Sequence, residues 1–264
     1  MHKKIAVALA CSVICGSSVR VPAQSAAATL APTGTLRVIF LGMNPVQGRF
    51  DAQTGKASGP VPDIVEAVAK KLSVPFRIIS SPNAAGIASA LNMREADIGV
   101  LAYDVERTRD VDYGASLLVM FNSYLVKRDS PIVKSSEVDR AGVTVAAVRG
   151  QTQELFVSSR LKSAKVRVFE TMPPQAEVEA LLLKGQVDVF AINRQRSLDA
   201  EAASGRKLRA LADSFLEVDQ SFVVRKGDAA KLPILAQFAK DLKASGLIKR
   251  SVERSKLVGV DAAR

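Results

Sequence analysis

Ala96-Asp-Ile-Gly-Val-Leu-Ala-Tyr-Asp-Val-Glu-Arg-Thr-Arg-Asp-Val-Asp-Tyr-Gly114 decides the fold of this chain. The apolar run Ile98–Ala102 has the length and flanks of a buried strand. Asp104 to Arg107 then forms one helical turn carrying a cation, and the aromatic Tyr113 follows. The first part of this pattern returns about ninety residues later. Leu91-x5-Asp97-Ile runs into Gly99-Val-Leu-Ala, and Leu182-x5-Asp188-Val runs into Phe190-Ala-Ile-Asn193. Two such helix–strand units predict two similar lobes. Arg107 sits just past the strand end of one and Asn193 at the strand end of the other, the layout of a cleft that closes on a small anion.

Around this stretch, strands and helices alternate. Leu36–Leu41 reads as a strand, followed by a loop from Gly42 to Gly59, and Asp63–Leu72 as an amphipathic helix ending in Lys70-Lys71. Phe76–Ile79 is a second strand, and Ala84–Met93 a helix of small residues leading into the quoted strand. Ser123–Lys127 leaves the first lobe. A second set follows, with strands at Val143–Val148, Lys165–Phe169 and Asp188–Ile192 and helices at Gln153–Leu161 and Pro174–Leu183. Gln220–Arg225 returns, and the Leu232–Ser245 helix is stopped by Gly246. The alternation predicts an α/β fold with largely parallel sheets. The first lobe is discontinuous, residues 35–125 plus 222–264, and two strands join it to an inserted lobe of residues 126–221. That arrangement is a hinge.

The N-terminus reads as a signal peptide over residues 1–23. Lys3 and Lys4 precede the apolar run Ile5–Ile14, which is too short to span a bilayer, and Val21-Pro22-Ala23 offers a cleavage site. Residues 24–34, rich in Ala, Ser and Thr, read as a flexible leader. Both cysteines, Cys11 and Cys15, and the only histidine, His2, lie in the exported segment. The mature chain therefore lacks thiol and imidazole, which excludes Cys or His nucleophiles and His/Cys metal sites. Loss of Lys3, Lys4 and Arg20 lowers the formal net charge from +11 to about +8. The remaining charges are scattered, without a basic run interleaved with aromatics, so no nucleic-acid partner is expected.

These residues resemble the family 3 extracellular solute-binding proteins, the polar amino acid receptors of ABC importers. The landmarks are Leu36-Arg-Val, Gly59-x-x-x-Asp63, Asp97 through Tyr113, Val148-Arg-Gly-Gln-Thr-Gln-Glu154, Leu183-Lys-Gly-Gln-Val-Asp188 and Ser245-Gly246. The resemblance implies a type II periplasmic-binding-protein fold and a periplasmic, monomeric receptor without cofactor. It would bind a small carboxylate-bearing solute and deliver it to an ABC permease of the inner membrane. In the family a Thr-x-x-Arg turn supplies an arginine for the ligand carboxylate, and Asp104-Val-Glu-Arg107 matches it. The planar guanidinium fork suits that task. The family's Gly-x-Thr turn matches Gly150-Gln151-Thr152, at a helix N-terminus that favours anions.

Three departures stand out. Asp104 replaces the family's threonine, and the loop between Asp97 and Arg107 is two residues shorter. Asn193 replaces the aspartate that pairs with a ligand ammonium. Phe50, Tyr103 and Phe121 are left as the aromatic platform in a chain without tryptophan. Plainer roles stay open: Asp104 and Thr152 as helix caps, Asn193 as a strand end, and Arg109 as a surface residue. Asp97 and Asp188 read as structural in both lobes. Two other functions also stay open. One is a cyclohexadienyl-dehydratase-like enzyme using Glu106, Asp104 or Glu154 as its acid; the other is a partner-protein binding module.

Overall fold

The computed structural model describes residues 23–264. The signal peptide and its cleavage site therefore lie outside the described residues, apart from Ala23. The first lobe opens with α1 (Ala23–Leu30), β1 (Leu36–Leu41), and the short pair β2 (Arg49–Phe50) and β3 (Ala57–Ser58). Next come α2 (Pro60–Leu72), β4 (Phe76–Ser81), α3 (Ala84–Asn92) and β5 (Ile98–Ala102). A 3-10 turn, Val105–Arg109, leads into β6 (Val111–Lys127). The second lobe holds β7 (Thr144–Val148), α4 (Thr152–Arg160), β8 (Lys165–Phe169), α5 (Gln175–Leu183), β9 (Val189–Asn193), α6 (Arg194–Ala203) and β10 (Leu208–Ala210). Then β11 (Leu216–Arg225) returns to the first lobe, which α7 (Leu232–Ala244), α8 (Leu247–Arg254) and β12 (Val260–Ala262) complete.

One ten-stranded sheet runs through the molecule in the order β4-β1-β5-β11-β6-β9-β7-β8, with β10 and β12 also on β6. Within each lobe the first strands are parallel: β1 with β4 and β5, β7 with β8 and β9. The crossings β6 and β11 are antiparallel to each other, from the Val111–Arg225 pair to the Asn122–Leu216 pair. Their register shifts at Gln220/Ser221 and at Ser221/Val223. Such bulges bend and twist a ladder, here where the chain passes between lobes. β12 flanks β6 at Leu118–Met120, so a third short strand supports the two crossing strands.

Burial follows from side-chain alternation. On β1, Leu36, Val38 and Phe40 join Ile64, Val65 and Leu235 in one core, while Ile39 faces Ile87, Leu91 and Val223 in another. A sheet covered on both faces reads as a continuous apolar run, as these strands do. The second lobe repeats the arrangement. Leu125, Ala146 and Phe190 pack with Leu182 on one face, and Tyr124, Val145 and Val189 with Val157 on the other.

Residues 24–34 are not a flexible leader. They include most of α1, with Ala26, Leu30 and Ala31 buried in the first lobe's main core. The reason is the alanine content itself: alanine has the highest helix propensity, and Ala26 and Leu30 share one helical face. Asp97 and Asp188 hold equivalent places. The Asp97 carboxylate accepts from the Arg37 amide at 2.9 Å, and that of Asp188 from the Thr144 amide at 2.8 Å. Each aspartate ties the start of the neighbouring strand. Among the described residues, no helix is long and apolar enough to cross a membrane.

Candidate ligand-binding cleft

Four connections converge between the lobes: β1 to β2, β5 to the 3-10 turn, β7 to α4, and β9 to α6. Arg107 lies on the second. Asp104 starts that turn, its Oδ1 accepting from the Glu106 amide at 2.9 Å, so the cap role is realised. The half-buried Arg107 donates through Nη1 to the Ala102 carbonyl at 2.9 Å and through Nη2 to the Gly150 carbonyl at 2.7 Å. The second bond crosses from lobe to lobe. Among the described residues no carboxylate lies within salt-bridge distance of the guanidinium, so its charge meets only neutral acceptors. Tyr113 donates to the same Ala102 carbonyl at 2.8 Å, and burial raises its hydroxyl pKa. Tyr103 is half exposed and meets Tyr113 edge to face, with ring centroids 5.0 Å apart.

Across the cleft, Gly150 takes the left-handed backbone (φ 70°) that turns β7 into α4. Gln151 occupies the N-cap position of α4 without a side-chain cap bond. Thr152 is therefore the first helical residue, buried, and its hydroxyl finds no partner among the described residues. The Gly150 amide is already taken, by Glu154 Oε2 at 3.2 Å, while Oε1 accepts from Ser158. The anion-seeking end of α4 thus holds a carboxylate from its own first turn.

Asn193 ends β9 and caps α6, its Oδ1 accepting from the Arg196 amide at 2.9 Å. The structural reading of this residue is realised. Sequence reasoning missed Arg196, whose Nη2 donates to the Met43 carbonyl at 2.6 Å in a second contact between lobes. The available signal was its place one turn past Asn193. Burial lowers the Arg196 pKa, and the nearby Asp199 opposes that shift.

Two cavities flank these contacts. The larger, about 1060 Å³, is lined by Tyr103, Asp104, Thr152 and Phe121, with Glu217 and Asp219 on the crossing strand. The smaller, about 410 Å³, lies beside Phe50, Met43, Met172 and Arg196. The structure thus brings Tyr103, Asp104 and Thr152 to one cavity and Phe50 to the other. Arg107, Gln151 and Asn193 line neither. Among the described residues, no group of three or more His, Cys, Asp or Glu side chains is placed to hold a metal ion.

Solved structures share this architecture. An ancestral amino acid-binding protein, described as a precursor of cyclohexadienyl dehydratase, has 25% identity and a TM-score of 0.68, covering 84% of this chain and 95% of its own. A putative binding component of an ABC transporter from Wolinella succinogenes, complexed with lysine, has 24% identity and a TM-score of 0.70, covering 84% and 95%. A histidine kinase sensor domain similar to periplasmic binding proteins has 20% identity and a TM-score of 0.70, covering 87% and 98%. A comparison with curated protein sequences gave no match. The model of the bacterial extracellular solute-binding proteins, family 3, matches residues 36–255. With that match over most of its length, the chain belongs to the bacterial extracellular solute-binding proteins, family 3.

Proposed function

We propose that this protein is the exported, periplasmic receptor of an ABC importer, binding a small carboxylate-bearing solute between its lobes as a monomer. The signal-peptide reading of residues 1–23 supports export. In this reading the first lobe is residues 35–125 with 222–264, joined by α1, and residues 126–221 form the second. The observation that carries it is Arg107: a guanidinium without a carboxylate partner, held at the mouth of the cleft by two carbonyl oxygens. A ligand carboxylate is a stronger acceptor for that fork than a neutral carbonyl. Contacts from one ligand to both lobes favour the closed form, and the permease would read that form.

One test is a thermal-shift screen of the exported protein against amino acids, dicarboxylates and keto acids. A ligand at a hundred times its dissociation constant stabilises by about 2.7 kcal/mol, a readily measured rise in Tm. No shift with any acid contradicts the reading.

An enzyme related to cyclohexadienyl dehydratase is the second reading, favoured by the precursor of that enzyme among the similar structures. Its candidate acid is the buried Glu154; Glu106 is exposed, and Asp104 is used as a cap. Conversion of a cyclohexadienyl acid, followed by mass spectrometry and lost in Glu154→Gln, would favour the enzyme.

A further inference from the structure

We propose that the cavity beside Phe50 holds the second acidic group of a dianionic organic acid without an ammonium group, anchored by Arg196. The proposal rests on the receptor reading and narrows its ligand class. The cavity of about 410 Å³ takes Met43, Pro45 and Phe50 from the first lobe and Met172, Ile192 and Arg196 from the second. That volume suits a small organic molecule, and the walls are mainly apolar.

The polar groups of this cavity are mostly donors. Arg196 spends one Nη2 bond on the Met43 carbonyl, and its other N–H groups meet no acceptor among the described residues. No carboxylate of those residues lies within salt-bridge distance of it; Asp199, one turn along α6, accepts instead from Gln195 at 2.9 Å. Arg49 lines the same cavity, so two guanidinium groups face one carboxylate there. The Asn193 oxygen is committed to the Arg196 amide, which leaves its carboxamide N–H groups as further donors nearby. A half-buried guanidinium with unused donors gains most from a carboxylate, which its fork matches in shape and charge. An ammonium would find only the Asp199 carboxylate there, against two guanidinium groups that repel it.

Arg107 follows β5 and Arg196 follows β9, with two strands between them in the sheet, but Arg107 reaches across to the turn that follows β7. β7 and β9 pair through Val145–Val189 and Ala146–Phe190. The Gly150 turn touched by Arg107 therefore lies beside the start of α6, which carries Arg196. One carboxylate at Arg107 directs the apolar middle of the ligand along Phe50 and its far acid towards Arg196.

Isothermal titration of the exported protein tests this with succinate, glutarate, adipate and pimelate, each beside the monocarboxylate of equal length, and with glutamate. The expected result is a dicarboxylate that binds about tenfold or more tightly than its monocarboxylate partner. That advantage disappears in Arg196→Gln and is partly kept in Arg196→Lys. Equal binding of mono- and dicarboxylates, an undiminished advantage in Arg196→Gln, or glutamate binding above glutarate would each overturn the proposal. Monocarboxylate binding that depends on Arg107, with no gain from a second carboxylate, overturns this proposal and leaves the receptor reading standing. No binding of any acid overturns both. Should Arg196→Gln fail to fold, the wild-type comparison decides alone.

Discussion

The guanidinium of Arg107, at the end of the first lobe's central strand, reaches the carbonyl oxygen of Gly150 in the second lobe at 2.7 Å. In the proposed receptor this cation, bonded here only to neutral acceptors, is the group that would hold the ligand's carboxylate. The bond also couples the two halves of the cleft: an acid that takes over this donor engages both the Arg107 turn and the start of α4. The lobes touch a second time through Arg196 and Met43, so the cleft is bridged by an arginine from each side.

The paired aspartates should differ in weight. Asp97 is buried and accepts from the Arg37 amide, with an ion pair to Arg37 Nη2 at 2.7 Å. Asp97→Ala should cost about 2–3 kcal/mol in urea unfolding, because it removes a buried carboxylate and leaves a half-buried guanidinium and an amide without their acceptor. Asp188→Ala, which frees one amide at a more exposed position, should cost about 1 kcal/mol. Equal costs would contradict the environments described.

Leu30 tests the N-terminal helix. It is fully buried in the first lobe's main core, so Leu30→Ala should destabilise by about 2–5 kcal/mol. An unchanged unfolding midpoint would restore the flexible leader expected from composition.

Asn193→Asp separates the cap from the cleft. Aspartate caps a helix about as well as asparagine, so Tm should stay near the wild-type value. The added charge should shift preference towards an amino acid over its keto acid by about tenfold, measured by competitive titration. A fall in Tm without a change in preference would confine Asn193 to its cap.

Acid should unfold the protein partly through Asp112 and Asp139. Asp112 is held below the ordinary value of 3.8 chiefly by its hydrogen bond with Lys226, and Asp139 by the amides of Ala164, Lys162 and Ser163. Both carboxylates are more acidic folded than unfolded. Their contribution is therefore complete above about pH 3.8 and is lost as pH falls towards the folded values. Asp139→Asn should unfold with a shallower dependence on pH below that point, followed by circular dichroism. Parallel curves would contradict the role of the three amides.

Much of this was legible in the sequence because period and spacing are local. The strands Leu36–Leu41 and Ile98–Ala102 announce themselves by unbroken apolar runs, and the Asp97 and Asp188 repeat reports two lobes. Asp104 was readable as a cap for the same reason. The misses depend on distant partners. Helix α1 reads as a flexible leader because its alanines carry little hydrophobic signal until α2 packs against them. β12 is three residues long, and its pairing with β6 cannot be read from its own pattern. Arg196 is one arginine among many until the fold places it opposite Met43, and no sequence pattern shows that Glu154 takes the Gly150 amide.

The most direct test of the central claim is titration of the best acid from the screen into wild-type protein and Arg107→Ala, with the radius of gyration followed by small-angle scattering. The account predicts that the acid binds and compacts the wild type. It also predicts that Arg107→Ala, although folded, binds about ten- to a hundredfold more weakly, the loss of a charge-assisted hydrogen-bonded grip. Equal affinity in the two proteins would contradict it, since Arg107 would then be a strut between the lobes and not the grip on the ligand.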